Sequence, residues 1–159
     1  MLYKKTLTKE QALQKLRHYC GYQERCHSEV KQKLYDLGIN KKDHDELMAT
    51  LIEEKYLDEE RFALAFAGGK FRIKQWGRVK IKYELRQKQV SEYSIKKALK
   101  QIGEADYLAL LKQLATEKYK GLKNEQHLVR RKKTMDYLLQ KGFELELIIK
   151  MADKIINET

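Results

Sequence analysis

The sequence predicts an all-α protein made of three tandem three-helix repeats, which would form an elongated, curved helical array of right or left hand. Three observations lead to this prediction. The chain of 159 residues contains no proline, so nothing forces a helix to break. Alternation of polar and apolar residues, which is typical of strands, is weak. Apolar residues instead recur at helical spacing in successive segments. We place the repeats at residues 1–57, 58–103 and 104–159.

Each repeat is expected to contain a long first helix, a shorter second helix and a third helix. Thr8, Ser28 and Ser91 are suitable N-cap residues, because their hydroxyls can accept a hydrogen bond from the first turn. Gly38 and Gly103 are suitable helix ends. The expected helices cover residues 9–25, 28–38, 43 or 45 to 57, 58–75, 78–88, 91–103, 104–120, 129–141 and 144–156.

The middle helices of the three repeats align at a period of about 50 residues. Each contributes three apolar or small residues at matching positions, namely Val30, Leu34 and Ile39, then Ile81, Leu85 and Val90, then Thr134, Leu138 and Phe143. Gly38 and Gly142 occupy the same place within this alignment, where a helix end requires positive φ. Gln89 stands there in the middle repeat.

Composition restricts the classes of partner. The formal net charge of +11 would attract a polyanion, which could be nucleic acid, an acidic protein face or an anionic membrane. A membrane is not expected, because the longest apolar run, residues 62–67, is too short to span a bilayer and no helix pairs a basic face with a broad exposed apolar one. Two cysteines, Cys20 and Cys26, make no disulfide framework, and the N-terminus has no apolar signal core, so a reducing cytoplasm is expected.

Basic residues concentrate between residues 70 and 88, where Glu84 is the only acidic residue, and again between 118 and 133. We therefore predict a surface that binds a polyanion or an acidic partner. Trp76 could stack on a base, although aromatic residues more often pack in the core. The candidate binding residues are Lys70, Arg72, Lys74, Trp76, Arg78, Lys82, Arg86 and Lys88, followed by Arg130, Arg131, Lys132 and Lys133.

Within the first basic stretch, Arg78, Lys82 and Arg86 follow one another at i, i+4 spacing and so form one stripe on a helix. Like charges at this spacing repel, and a bound anion would offset the repulsion. Val79 and Tyr83 lie beside the stripe. Two arrangements stay open: the stripe lies in a concavity, or Val79 and Tyr83 belong to a second packed interface.

No catalytic or cofactor site is expected. Gly68-Gly69-Lys70 lacks both the upstream glycine and the following Ser/Thr of a phosphate-binding loop. His18 and His27 lie close to the two cysteines, but the spacing of a structural zinc site is missing. The sequence therefore favours a binding protein without enzymatic activity, metal or cofactor, with buried free thiols at the cysteines.

Two segments carry a resemblance to a known family. They are LIEEKYLDEERFA, residues 51–63, and GRVKIKYELRQKQV, residues 77–90. Together they resemble the RecX regulatory proteins, which modulate the recombinase RecA. The matching residues are Tyr56, Leu57, Asp58, Glu59, Phe62, Ala63, Gly77, Ile81, Glu84, Leu85, Lys88 and Val90. Lys55 and Gln89 stand where the family usually has glycine, which affects helix ends and not the charged face.

The resemblance implies three tandem three-helix units that lie in the groove of the RecA filament on single-stranded DNA. Such proteins inhibit the ATPase, recombinase and strand-exchange activities of RecA, which modulates DNA repair and the SOS response. We expect a monomer whose basic surface contacts the filament and could touch single-stranded DNA directly. Reversal of Arg78, Lys82 and Arg86 to glutamate is then expected to abolish inhibition and leave helicity intact.

Two other hypotheses stay open. The chain could be a basic nucleic-acid-binding module without a specific protein target, whose affinity would fall steeply with salt. It could also be a helical scaffold whose basic face meets an acidic protein, with little affinity for DNA. Binding to bare and to recombinase-coated single strands would distinguish these hypotheses from a filament regulator.

Overall fold

The computed structural model describes residues 6–158, and all regular secondary structure in this range is helical, as the sequence predicts. The α-helices in this range are α1 Lys9–Tyr22, α2 His27–Asp36, α3 His44–Glu53, α4 Glu59–Gly69, α5 Arg78–Gln87, α6 Glu92–Lys100, α7 Glu104–Gly121, α8 His127–Lys141 and α9 Leu145–Asn157. A short 3₁₀ helix covers Lys41–Asp43, and a π-helical turn covers Lys70–Lys74. No helix among the described residues combines the length and apolar character needed to cross a membrane.

The chain divides into two compact units. The first contains the residues up to Ala65 together with Leu85–Lys97, and the second contains Phe66–Glu84 together with Ala98 onward. This division cuts through the segment that we predict as the second repeat. The repeat boundaries at residues 57 and 103 therefore stay a prediction.

Two of the three expected N-caps are present. The Thr8 hydroxyl accepts a hydrogen bond from the backbone of Gln11, whose side chain accepts one from the Thr8 N–H, so that the pair forms a capping box. The Ser91 hydroxyl accepts from the Ser94 N–H at 3.3 Å. The prediction for Ser28 is wrong, because α2 begins one residue earlier and the Ser28 hydroxyl donates to the Lys88 carbonyl at 2.8 Å.

The middle helices α2, α5 and α8 each end in the same kind of turn. Gly38, Gln89 and Gly142 all have positive φ, at 72°, 63° and 95°, which confirms the slot that the alignment predicts. The next N–H in each case bonds to the carbonyl five residues back, as in a Schellman motif. These hydrogen bonds are Ile39 to Leu34 at 3.1 Å, Val90 to Leu85 at 3.1 Å and Phe143 to Leu138 at 3.2 Å. All of the aligned middle-helix residues are buried.

A second contact occurs in both units. It joins the later part of α1 or α7 to the segment that precedes α2 or begins α8. The Arg25 guanidinium carbon lies 3.8 Å from the centroid of the Tyr19 ring, and Arg25 Nε donates to the Tyr19 carbonyl at 3.1 Å. Arg130 makes the same pair of contacts with Tyr119, at 3.4 Å and 2.7 Å. The two segments therefore share side-chain contacts as well as helix order.

The cysteines follow expectation, since Cys20 and Cys26 are both buried free thiols. Burial raises the pKa of each thiol. Cys20 belongs, with Ala12, Leu16 and Val30, to the apolar core that α1, α2 and α3 form.

Candidate cationic binding surface

The start of α5 and the end of α8, both in the second unit, are joined directly through their backbones. The Gly77 N–H donates to the Lys141 carbonyl at 2.8 Å, and the Val79 N–H donates to the Gly142 carbonyl at 2.9 Å. A Cβ at Gly77 would lie 2.4 Å from the Gly142 oxygen, so only glycine permits this approach. The contact brings Lys141, the last residue of α8, beside the first turn of α5.

The π-helical turn positions a second group of basic residues. It ends at Gln75, whose φ of 58° is left-handed, and the Trp76 N–H then donates to the Lys70 carbonyl at 3.1 Å. The turn thus closes on itself and places Lys70 and Trp76 next to each other. Such π-helical turns are rare and often occur at functional sites.

Lysines surround the single Trp of the chain. Lys80 Nζ lies 4.6 Å from the centroid of the Trp76 ring and Lys70 Nζ lies 4.9 Å from it, both within the range of cation–π attraction. Phe66 packs edge-on at 6.5 Å. Two ammonium groups thus lie close to the Trp76 ring, and stacking of a base on Trp76 stays a prediction.

Lys141 adds to this group. Its Nζ donates to the Lys74 carbonyl at 2.8 Å, and burial together with the positive charges of Lys80 and Lys74 lowers the pKa of Lys141. We call Lys70, Lys74, Lys80, Lys141 and Trp76 the Trp76 cluster. Among the described residues, no carboxylate lies within 4.0 Å of any of its four ammonium groups. The cluster therefore carries a positive charge that the described fold leaves uncompensated.

Arg78 makes contacts inside the second unit that the sequence does not indicate. Its guanidinium bonds to Glu144 at 2.7 Å and to Glu104 at 3.0 Å, and it lies 3.8 Å from the centroid of the Tyr107 ring. Burial of the guanidinium acts to lower the pKa of Arg78. Its bonds to the two carboxylates outweigh this effect and raise the pKa. Arg78 is thus paired within the second unit, so its reversal to glutamate would disrupt that unit, and its contact with a partner stays a prediction.

The network around Arg78 extends into the core. The Tyr107 hydroxyl accepts from the Arg78 N–H at 3.0 Å and donates to Glu144 through a short hydrogen bond. Burial, together with the neighbouring Glu144 carboxylate, raises the pKa of Tyr107. Tyr107 also packs against Phe143 at 5.2 Å and Phe71 at 6.0 Å. Arg78 therefore helps to hold α5, α7 and α9 together.

The other predicted cations divide into paired and unpaired groups. Arg86 makes a two-pronged contact with Glu92, and Lys88 lies 3.7 Å from Glu29. Lys82 and Arg72 have no carboxylate within 4.0 Å among the described residues. In the later set, Arg130 contacts Tyr119 as described above, and the ion pairs are Arg131 with Asp153 at 3.0 Å, Lys132 with Asp136 at 2.7 Å and Lys133 with Glu125 at 2.7 Å.

Arg131, Lys132 and Lys133 of the later set are therefore each paired with a carboxylate, and Arg130 is held against Tyr119, so a continuous cationic ribbon through both sets is not supported. What the second unit offers is the Trp76 cluster with Arg72 and Lys82, which together we call the cationic surface. Val79 and Tyr83 are 52% and 59% exposed, so among the described residues they do not form a packed interface. Ile73 is 79% exposed. The cationic surface thus has apolar and aromatic residues available beside it.

Two residues of this surface were missed by sequence reasoning. Lys80 belongs to the basic run but lies off the i, i+4 stripe, and its signal is its position four residues after Trp76. Lys141 precedes Gly142, which the repeat alignment had marked as a helix end, but only the backbone contact with Gly77 brings it to the cluster. No local pattern could have predicted that contact.

Comparison with known proteins identifies relatives of this fold and sequence. Family models described as the second and the third three-helix domain of RecX match residues 58–99 and 104–150. A regulatory protein RecX from Prosthecochloris aestuarii is 31% identical over 92% of this chain and 94% of its own length. One from Leuconostoc mesenteroides is 28% identical over 82% of this chain, and the match covers about half of that longer relative.

Solved structures show the same fold. A crystal structure of RecX from Lactobacillus salivarius superposes with a TM-score of 0.84 over 92% of this chain and 96% of that chain, at 20% identity. A second crystal structure, of a regulatory protein RecX, has a TM-score of 0.83 over 91% of this chain and 73% of the other, at 23% identity. At these identities the structural match concerns the fold alone.

Proposed function

We propose that this chain, which belongs to the RecX family of regulatory proteins, binds the filament that the recombinase RecA forms on single-stranded DNA. Binding would inhibit the ATPase and strand-exchange activities of the filament and so modulate DNA repair and the SOS response. In this proposal the protein acts as a cytoplasmic monomer. It performs no chemistry of its own and works by occupying the filament.

The observation that carries the proposal is the Trp76 cluster. Four lysines held together without a nearby carboxylate repel one another, and an anion bound among them would relieve that repulsion. A recombinase filament offers both DNA phosphates and acidic side chains. The neighbouring exposed Tyr83, Val79 and Ile73 could supply the apolar contact that protein interfaces need.

The alternative function is nucleic-acid binding without a protein target. A module that binds nucleic acid without a protein target would use the same lysines for phosphates alone. It would bind bare single strands at least as well as strands coated with RecA. A filament regulator would prefer the coated strand, because protein contacts add to those with DNA.

The test is a titration of the single-stranded-DNA-dependent ATPase of RecA with this protein. The variant carries Lys80→Glu and Lys141→Glu. The control carries Lys150→Glu and Lys154→Glu, which change the charge equally on exposed positions of α9 in the same unit. We expect the half-inhibitory concentration to rise about tenfold in the variant, equivalent to about 1.4 kcal/mol of binding free energy. The control should remain within about twofold of the natural protein.

Trp76, as the single Trp, gives a local readout of the same event. Its fluorescence should change when the natural protein binds the filament, because the lysines that flank the ring then engage an anion. If variant and control lost inhibition equally, the effect would come from net charge alone, and the Trp76 cluster would not be part of the interface. Absence of ATPase inhibition by the natural protein would contradict the function itself.

A further inference from the structure

A cleft of about 580 Å³ lies between α1 and α2 in the first unit, and the proposed filament contact makes no use of it. Its lining includes Lys15, His18, Tyr22 and Lys33, and no acidic side chain among the described residues contributes to it. The volume lies within the range of small-molecule sites, about 300–1,000 Å³. The cleft is therefore large enough, and of the right charge, for an anionic ligand of moderate size.

One wall of the cleft is fixed. Arg25, only 13% exposed, lies over the Tyr19 ring and bonds to the Tyr19 carbonyl and to Glu29, with its Nη1 3.7 Å from the carboxylate. Lys33 Nζ approaches the same ring at 5.3 Å. The aromatic ring thus fixes Arg25 and attracts Lys33, so this wall needs little reorganisation on binding.

The lining of the cleft also includes an exposed aromatic ring. Tyr22 is 79% exposed, although large aromatic residues usually bury most of their surface. His18 and Lys15, both exposed, lie on the same helix one and two turns before it. Among the described residues, neither Lys15 nor Lys33 has a carboxylate within 4.0 Å. A planar group and an anionic group would therefore both find partners here.

Two other clefts of the first unit lack this combination. One, of about 510 Å³, shares His18 and Tyr22, but its cation is Arg17, which Glu54 binds at 2.6 Å. Another, of about 470 Å³, is lined by acidic residues that include Glu59 and Glu60. An anion would be poorly accommodated in either of them.

From these features we propose that the cleft between α1 and α2 binds one nucleotide. The base stacks on Tyr22, and the phosphate lies toward Lys15 and Lys33. Stacking on an aromatic ring accepts any base, and ammonium groups recognise phosphate as point charges, so the site has little base specificity. The same chemistry is presented by a free nucleoside monophosphate and by one nucleotide of a single strand. The site does not depend on the proposed filament function.

The experiment uses the full chain and two probes, thymidine 5′-monophosphate and a short oligothymidylate. Lys80→Glu and Lys141→Glu are present throughout, so that the cationic surface contributes little. Binding is followed by the NMR signals of the Tyr rings. Tyr22→Ala removes the ring on which the base stacks, and Lys33→Glu reverses a charge near the phosphate. Each substitution should therefore weaken binding about tenfold. Tyr22→Phe should bind as the natural residue does, because it keeps the ring.

The matched control is Lys31→Glu, an equal charge change at an exposed position of α2 outside the cleft, which should alter affinity by less than about twofold. Binding of the mononucleotide would support a free-nucleotide site, and binding of the oligomer alone would support a site for a strand. Equal weakening by Lys31→Glu and Lys33→Glu would overturn the proposal, as would the absence of binding by both probes. Filament inhibition by the Tyr22→Ala variant, measured without the two background substitutions, reports separately on the proposed function.

Discussion

At the scale of single residues, basic side chains one turn apart have different surroundings in this protein. Arg78 and Lys82 lie one turn apart on α5 and look equivalent in the sequence. Arg78 is bound by two carboxylates and an aromatic ring, whereas Lys82 has no carboxylate nearby among the described residues. A charge that is partly buried and fully paired stabilises the fold only while its partners remain. An unpaired one is available to a ligand.

This difference predicts unequal costs of substitution. Arg78→Met should lower the free energy of unfolding by about 2 kcal/mol, because it leaves the carboxylates of Glu144 and Glu104 without their donor. Lys82→Met should change it by less than about 0.5 kcal/mol. Urea unfolding followed by circular dichroism measures both values. Similar midpoints for the two variants would show that the Arg78 network does not contribute to stability.

At the scale of elements, the middle helices α2, α5 and α8 share the turn that ends them. Glycine adopts positive φ without a steric penalty, and an L-residue with a side chain pays about 1–2 kcal/mol for it. Gln89 therefore carries a strain that Gly38 and Gly142 avoid. The buried C3 and C″ residues of each turn, such as Leu85 and Val90, keep the turn in place despite that strain.

Substitutions at Gln89 and Gly38 test whether positive φ strains a residue that has a side chain. Gln89→Gly should raise the free energy of unfolding by about 0.5–1 kcal/mol, since relief of strain exceeds the entropy that glycine gains in the unfolded chain. Gly38→Gln should lower it by about 1 kcal/mol through backbone strain alone, because no heavy atom lies within 4 Å of a Cβ placed there. Chemical denaturation gives both numbers. A destabilised Gln89→Gly protein would mean that the Gln89 side chain makes a compensating contact.

At the scale of the whole molecule, the total of 34 lysines and arginines overstates the number of cations that a partner can use. Ion pairs absorb Arg86, Arg131, Lys132 and Lys133, whereas the Trp76 cluster keeps its charge. Exposed pairs contribute little to stability, but they still lower the local potential that an incoming anion meets. Affinity for a polyanion should therefore depend on a few unpaired lysines and not on the total number of basic residues.

The salt dependence of binding to single-stranded DNA measures how many positions act. If four lysines of the Trp76 cluster each neutralise one phosphate, the slope of log K against log salt should be about −3, at about −0.7 per contact on a single strand. Lys80→Gln with Lys141→Gln should make the slope shallower by about 1.4. Lys150→Gln with Lys154→Gln is the matched control. Fluorescence anisotropy with a labelled oligothymidylate gives each slope, and equal slopes for both pairs of substitutions would contradict the count.

Much of the fold was predictable from the sequence because helix formation leaves local signals. The period of buried residues, the Thr8 capping box and the positive-φ slots at Gly38 and Gly142 each depend on a few neighbouring residues. Ser28 was misjudged because its hydroxyl bonds to the carbonyl of Lys88, which is 60 residues away. The resemblance to RecX proteins, carried by residues 51–63 and 77–90, also agrees with the family to which the chain belongs.

The candidate site was predictable only in part. Sequence by itself determined that the chain is helical, strongly basic and richest in positive charge between residues 70 and 88. Tertiary structure alone decided which charges remain available, because Arg78 meets Glu144 across 66 residues and Lys141 reaches Lys74 across 67. Whether a side chain is neutralised depends on distances of a few ångströms between segments far apart in the chain, and such distances are fixed only when helices pack.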